Sequence, residues 1–257
     1  MTPSVRFASI TRPERLSALP PDRGLLVLFD VDGTLLDSDI MICTAMAEAF
    51  VAAGEAPPEP GTIRRLIGLS GPEMVAALAT DLDVDCRAKI LSGYRLLFCD
   101  ALERREESHL FIGAEAALVR LLGAGVTLGL TTGKSADSVG QLVEAMRWRD
   151  FFRTIQTADR NPSKPSPVMV QKALLETGFA PERTVLVGDT RYDMKMARAA
   201  GIRAIGVSWG YNTVQELRAE GAMGIAGDFR HLTDLLIGLL PPRQGGTTSS
   251  ADEFAAG

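Results

Sequence analysis

LLVLFDVDGTLLDSD, Leu25–Asp39, opens on a continuous apolar run from Leu25 to Phe29. Such a run reads as a strand buried on both faces of a parallel sheet. It ends in acid: Asp30 and Asp32 are two residues apart, so in an extended chain both carboxylates point to one side at the strand's carboxyl end. That edge is where open α/β sheets bind ligands. Gly33 lets the backbone turn closely, and the Thr34 hydroxyl can tie the loop down. Two acids buried there without a partner would be costly, which calls for a bound cation or a lasting hydrogen-bond network. Magnesium suits the position, as a hard cation held by one or two carboxylates, water and a substrate phosphate. Taken alone, D-x-D-G is as readily a turn built from turn-forming residues.

The remaining composition narrows the function classes. The chain has 257 residues, room for one large or two small domains, and its 46% hydrophobic content can fill a sizeable core. A net charge of -5 argues against nucleic acid or an anionic membrane as the main partner. No apolar run reaches the roughly 18 residues of a membrane helix, and no signal-peptide core is visible, so the expected compartment is the cytoplasm. Cys43, Cys86 and Cys99 show no C-x-x-C spacing, which leaves neither a disulfide framework nor a zinc site indicated. His109 and His231 are the only histidines, and neither lies in a hydrolase triad motif.

Along the chain, residues 1–22 read as an irregular extension without clear periodicity. Ser38 is placed to cap a helix running through Ile40, Ala47 and Phe50 to about Gly54, where APPEPG breaks it. From Thr62 to about Arg105 the pattern is helical throughout. An α/β alternation then resumes, with a helix over Glu115–Leu122 and strands over Val126–Thr131, Thr154–Thr157, Thr184–Val187, Ala204–Val207 and Met223–Ala226, before a helix over Leu232–Leu240. The organisation expected is an α/β core over residues 23–37 and 112–241, an all-helical cap over 38–111 joined by hinges near Asp37 and Gly113, and a disordered tail over 242–257.

Chemistry-bearing residues recur at the predicted strand ends. TTGKSADS puts Thr132 at the close of the second strand, with Gly133 and Ser135 preparing a helix whose first amides face an anion. NPSKPSP fixes the backbone around Lys164 with prolines. GDTRYD places Asp189 at a strand end and Asp193 four residues on. Singly, Lys164 is as readily a solvated loop lysine, Thr132 a helix cap, and Asp189 and Asp193 first-turn acids favoured by the helix dipole. Together, and in this order, they resemble the haloacid dehalogenase superfamily, whose phosphatases carry a DxDGT motif, a Thr or Ser closing the second strand, a loop Lys and a GDxxxD motif. The resemblance covers about residues 25–228, and TTGKS, SKPSP and VGDTRYDMKMARAAG look most like the phosphoglycolate phosphatase-like branch with a helical cap after the first motif. Ser166 departs from the His that relatives often carry after Lys-Pro.

The resemblance implies a Rossmann-like parallel sheet flanked by helices and a magnesium-dependent phosphatase acting on a small phosphorylated metabolite. Asp30 would be the nucleophile that becomes an aspartyl-phosphate, and Asp32 the acid and then the base. Lys164 and Thr132, with amides near Gly133, would hold the equatorial phosphoryl oxygens. Magnesium would be bound by Asp30, the backbone carbonyl of Asp32, and Asp189, with Asp193 either a further metal-shell ligand or the group that orients Lys164. In the cap, Arg64 and Arg65 stand beside the Gly68–Gly71 loop; Arg65 could read an acidic substrate, or both could lie on a solvated helix face. A phosphomutase would share these core motifs. A dehalogenase would lack the second acid and the GDxxxD acids. A phospho-signalling receiver is shorter and has no helical insert, and a non-catalytic binding protein would be expected to lose Asp30 or Asp32.

Overall fold

The computed structural model describes residues 24–104 and 109–241, so the readings of residues 1–22 as an irregular extension and 242–257 as a disordered tail lie outside the described residues. The apolar run becomes the central strand β1 (Leu26–Phe29), every residue of it buried. Its side chains alternate between two cores. Leu25, Val27 and Phe29 pack in one cluster with Leu118, Leu130, Leu232 and Leu236, while Leu26 and Leu28 pack in another with Met169, Val170 and Met194. A strand apolar on both faces has to be covered on both, which is the arrangement of a parallel sheet with helical crossovers.

The main sheet is formed by β1 with β4 (Thr127–Thr132), β5 (Phe152–Thr157), β6 (Thr184–Gly188), β7 (Arg203–Val207) and β8 (Gly224–Ala226), all parallel, in the order β5-β4-β1-β6-β7-β8. The order reverses at β1, whose partners on either side are β4 and β6. Crevices at such a reversal open at the carboxyl ends of the strands. Helices α5 (Ala114–Gly123), α6 (Ala136–Ala145), α7 (Val168–Thr177), α8 (Arg191–Ala199), α9 (Val214–Ala219) and α10 (Phe229–Ile237) provide the connections and the last layer.

Several element ends differ from the sequence reading for local reasons. α10 starts at Phe229, three residues before the predicted Leu232, because the Asp228 carboxylate accepts from the His231 amide at 2.7 Å and caps it. α9, not foreseen, is set by a capping box between Thr213 and Glu216.

Residues 39–104 are helical: α1 (Asp39–Ala52), α2 (Pro60–Arg64), α3 (Gly71–Leu78) and α4 (Val84–Arg104). They share a hydrophobic cluster of their own, including Met46, Phe50, Ile63, Met74 and Ile90. Two short strands, β2 (Leu36–Asp37) and β3 (His109–Leu110), pair antiparallel where the chain enters and leaves this helical unit. The backbone connecting the unit to the sheet is therefore a two-stranded ribbon rather than two separate loops. Among the described residues, no helix is long and apolar enough to cross a membrane.

Because Leu28 is fully buried under α7 and α8, Leu28→Ala should lower the unfolding free energy by about 2–5 kcal/mol, whereas Arg153→Ala on the exposed side of the edge strand should stay within about 0.5 kcal/mol. Urea denaturation of the two variants measures the difference; equal midpoints would contradict the placement of β1 at the centre.

Candidate active site

Three adjacent strands deliver the site. β1 ends in Asp30, whose amide donates to the Val187 carbonyl on β6 at 2.9 Å. The chain then turns: the amides of Leu35 and Leu36 donate to the Val31 carbonyl. Gly33 has φ +77°, and a Cβ there would lie 2.3 Å from Asp189 Oδ2 and 2.7 Å from the Tyr211 ring. Only glycine fits that backbone and that space. Thr34 does tie the loop down, its hydroxyl donating to Asp189 Oδ1 at 3.0 Å, while the Tyr211 amide donates to Asp189 Oδ2 at 2.8 Å.

β6 ends at Gly188, followed by Asp189 and by Thr190, the N-cap of α8. Thr190 and Asp193 form a capping box, in which Asp193 Oδ2 accepts from the Thr190 amide at 3.1 Å and its hydroxyl at 2.6 Å. Asp193 Oδ1 is left for Lys164 Nζ at 2.7 Å. Lys164 is completely buried, and its ammonium also lies 2.7 Å from Asp30 Oδ1. The lysine predicted on a loop is thus a buried bridge between two acids, and the solvated alternative does not apply.

Asp30, Asp189 and Asp193 offer oxygens within 4.8 Å of one another, all from fully enclosed side chains. One ammonium among three carboxylates leaves negative charge in excess. Burial pushes the Asp30 carboxyl well above its usual range, against the pull of Lys164, with Asp193 and Asp189 adding to the rise. Asp189 is pushed up to about 7, first by burial and then by Asp193. Burial disfavours the charge on Lys164, but Asp193 and Asp30 outweigh it and hold its proton more tightly than usual. Asp30 Oδ2 is buried with no partner among the described residues. An unpartnered carboxylate oxygen beside surplus acid is what a hard divalent cation would satisfy, so the donor set fits magnesium. Asp193, with both oxygens committed to Lys164 and Thr190, fits the orienting role better than that of a ligand.

Thr132 is buried at the end of β4, where its hydroxyl accepts from the Lys134 amide at 3.2 Å. Gly133 and Lys134 line a cleft together with Asp30 and Asp32. Its opposite wall comes from the helical unit, with Ile42, Ile67, Met74, Tyr94 and Phe98. The Gly68–Leu69 loop passes so close that a Cβ on Gly133 would sit 2.5 Å from the Leu69 carbonyl oxygen, and the Ser70 amide donates to Ser163 Oγ at 2.8 Å, one residue from Lys164.

Asp32 is the member of the predicted set that stands apart. Its carboxylate lies in the cleft wall rather than on Lys164: Oδ1 accepts from Ser38 Oγ and is 2.8 Å from Lys134 Nζ. Ser38 therefore does not cap α1 with its side chain. Its backbone is not extended (φ -115°, ψ 10°), and its hydroxyl is committed to the acid. Lys134 was not singled out by the sequence. A cation just ahead of a helix N-terminus opposes the helix dipole, which is the signal that it has another partner.

Arg65 lies outside the cleft lining: it is exposed, donates to Thr62 Oγ1 at 3.2 Å, and follows the last residue of α2. Arg64 pairs with Asp39 at 2.7 Å. The arginine on the cleft is Arg95 of α4, whose helical turn also carries Tyr94 and Phe98.

Comparison with known proteins gives the same direction. A phosphoglycolate phosphatase of Pseudomonas putida is 32% identical over 211 residues, 80% of this chain and 78% of that protein. A haloacid dehalogenase-like hydrolase of Streptococcus pneumoniae superposes with a TM-score of 0.72 at 26% identity, over 83% of this chain and 99% of that one. A hydrolase from Pseudomonas syringae superposes with a TM-score of 0.75 at 23% identity, over 85% of this chain and all of that one, a likeness of fold. The family model of the haloacid dehalogenase-like hydrolases matches residues 27–207, and the chain belongs to that family.

Proposed function

We propose that this protein is a magnesium-dependent phosphatase that hydrolyses a small phosphate monoester through an aspartyl-phosphate on Asp30, with phosphoglycolate as the first substrate to try. The observation that carries the reading is the state of Asp30, a residue of the cleft lining: one oxygen is held by a buried lysine and the other is buried and, among the described residues, unpartnered. The name of the Pseudomonas putida relative supports the choice of substrate.

In the first step an Asp30 oxygen attacks phosphorus, and the bond from phosphorus to the ester oxygen breaks with its electron pair going to that oxygen. Asp32, which lines the same cleft, supplies the proton that makes the departing group an alcohol. In the second step a water oxygen attacks the phosphorus, its proton passes to Asp32, and the bond to Asp30 breaks to give inorganic phosphate. Splitting the hydrolysis this way replaces one difficult displacement by two easier ones. Lys164, the Thr132 hydroxyl and the amides near Gly133 hold phosphoryl oxygens where charge spreads in the transition state. Asp193 keeps the Lys164 ammonium aimed at Asp30. Asp30, the Asp32 carbonyl and Asp189 would hold magnesium, which supplies charge neutralisation of the phosphoryl oxygens when bound. The apolar wall from the helical unit faces the reacting group across the cleft.

Hydrolysis of p-nitrophenyl phosphate and phosphoglycolate, followed with magnesium and with EDTA, should proceed only with the metal, and Asp30→Asn should lower kcat by at least about a thousandfold. Equal turnover by Asp30→Asn and the unaltered protein would end the reading.

The raised acids also set a pH dependence of stability. Asp30 and Asp189 lose their protons in the unfolded chain near the ordinary 3.8 but keep them to higher pH when folded, Asp189 to about 7. The folded state therefore binds more protons between those values, and the metal-free protein loses stability as pH rises through that window, at about 1.4 kcal/mol per pH unit for each proton of difference. Urea denaturation in EDTA should show stability falling from pH 5 to pH 8, with magnesium restoring more of it at pH 8 than at pH 5. Asp189→Asn should flatten the slope; a metal-free profile that rises across the window would contradict the charge assignment.

A further inference from the structure

Lys134 has no part in the steps above, yet it is among the most enclosed charges of the cleft. Its side chain is 5% exposed, its ammonium lies 2.8 Å from Asp32 Oδ1, and the Phe98 ring centroid is 4.0 Å away. Asp32 Oδ1 also accepts from Ser38 Oγ, which is itself 3.4 Å from the Tyr211 hydroxyl. An ammonium and a hydroxyl thus converge on the same oxygen of one carboxylate. Among the described residues, no hydrogen bond or ion pair reaches Asp32 Oδ2.

Two buried lysines divide three of the acids between them. Lys164 touches Asp30 and Asp193, and Lys134 touches Asp32. An oxygen that accepts a hydrogen bond from Ser38 and faces an ammonium at 2.8 Å is a poor place for a proton, so the acid form of Asp32 carries its proton on the other oxygen. Lys134 also ties this choice to the helical unit, because the ring that faces its ammonium belongs to α4, and an aromatic face attracts a cation held over it.

Resting on the phosphatase reading, we propose that Lys134 is a positioning residue for proton transfer: with Ser38 it anchors Asp32 Oδ1, so that Oδ2 bears the proton delivered to the leaving oxygen, and Phe98 holds Lys134 in place. Lys134 does not ligate the phosphoryl group in this assignment. The consequence is a dependence on the leaving group. An alkoxide leaves only with a proton, whereas p-nitrophenolate departs as a stable anion, so loss of Asp32 positioning penalises alkyl esters selectively.

The test measures kcat and KM on glycerol 2-phosphate and on p-nitrophenyl phosphate for the full chain with magnesium, comparing Lys134→Met, Lys134→Arg and Phe98→Leu. Lys134→Met should lower kcat on glycerol 2-phosphate about 100-fold, at least ten times more than on p-nitrophenyl phosphate, with KM changing by less than about threefold on either. Lys134→Arg should recover part of the alkyl activity, and Phe98→Leu should show the same skew at smaller amplitude. Equal losses on the two esters would overturn the assignment in favour of a purely structural lysine, and a raised KM on both with kcat retained would overturn it in favour of a phosphate ligand. Should Lys134→Met fail to fold, the ratio measured for Phe98→Leu decides by the same criterion. Unaltered protein without metal-dependent turnover of either ester would instead remove the phosphatase reading on which this one stands.

Discussion

The buried ammonium of Lys164 is the interaction on which the arrangement of the site depends. It sits at 2.7 Å from both Asp30 and Asp193 with no access to water. Taking a lysine out of water is costly unless its charge is paired and its donors used. The two acids are equally costly alone. Neither loop could bury its charge without the other, so the loop after β5 and the turn that opens α8 have to fold against the end of β1 together. Removing one partner of such a buried group typically costs about 3–5 kcal/mol, because it strands the remaining charge.

One lysine cannot neutralise three carboxylates, and the remainder gives the site its chemistry. Asp189 is held in place by Thr34 and the Tyr211 amide, hydrogen bonds that stabilise its charged form without cancelling the charge. Close packing keeps water from relieving the excess: a Cβ at Gly210 would lie 2.1 Å from the Asp189 side chain, and one at Gly188 would lie 2.4 Å from that of Asp193. The backbone thus presses against both acids at positions where no side chain fits. A site built this way is destabilised in its metal-free form and relieved by a cation, which links folding to loading.

The parts legible in the sequence are those fixed by strand position. Leu25–Phe29 is apolar because both of its faces are covered, Thr132 closes β4, and Asp30 and Asp189 follow strands whose hydrophobic runs mark where each stops. Parallel pairing of β4, β1 and β6 in register then brings positions about 100 and 160 residues distant from Asp30 to one edge. Lys164 is legible as a residue but not as a buried one, since its burial depends on Asp193 reaching it from α8. Lys134, Ser38 and Arg95 are illegible for a different reason. Only the seating of α1 and α4 over the sheet brings Lys134 and Ser38 to Asp32 and Arg95 to the cleft. Arg65 shows the converse: beside a glycine-rich loop in sequence, it ends on the exposed side of a short helix. β2 and β3 are too short to leave any alternation to read.

Glycine makes the close approaches in that seating possible. Gly133, read from the sequence as a source of amides for an anion, has a second constraint, because the Leu69 carbonyl oxygen lies where its Cβ would be. Gly68, with φ +104°, faces Thr190, whose side chain would be 3.0 Å from an added Cβ. The same loop reaches the Lys164 segment through the Ser70 amide and Ser163 Oγ. One turn of backbone from the helical unit therefore touches the loops after β4, β5 and β6 at once. A side chain at Gly133 would push against the backbone of that turn, and one at Gly68 would strain its left-handed φ, so both disturb the apolar wall that stands opposite Asp30. The helical unit is therefore located by the loops that carry the reactive groups, so its closure over the cleft and the ordering of those groups are a single packing problem.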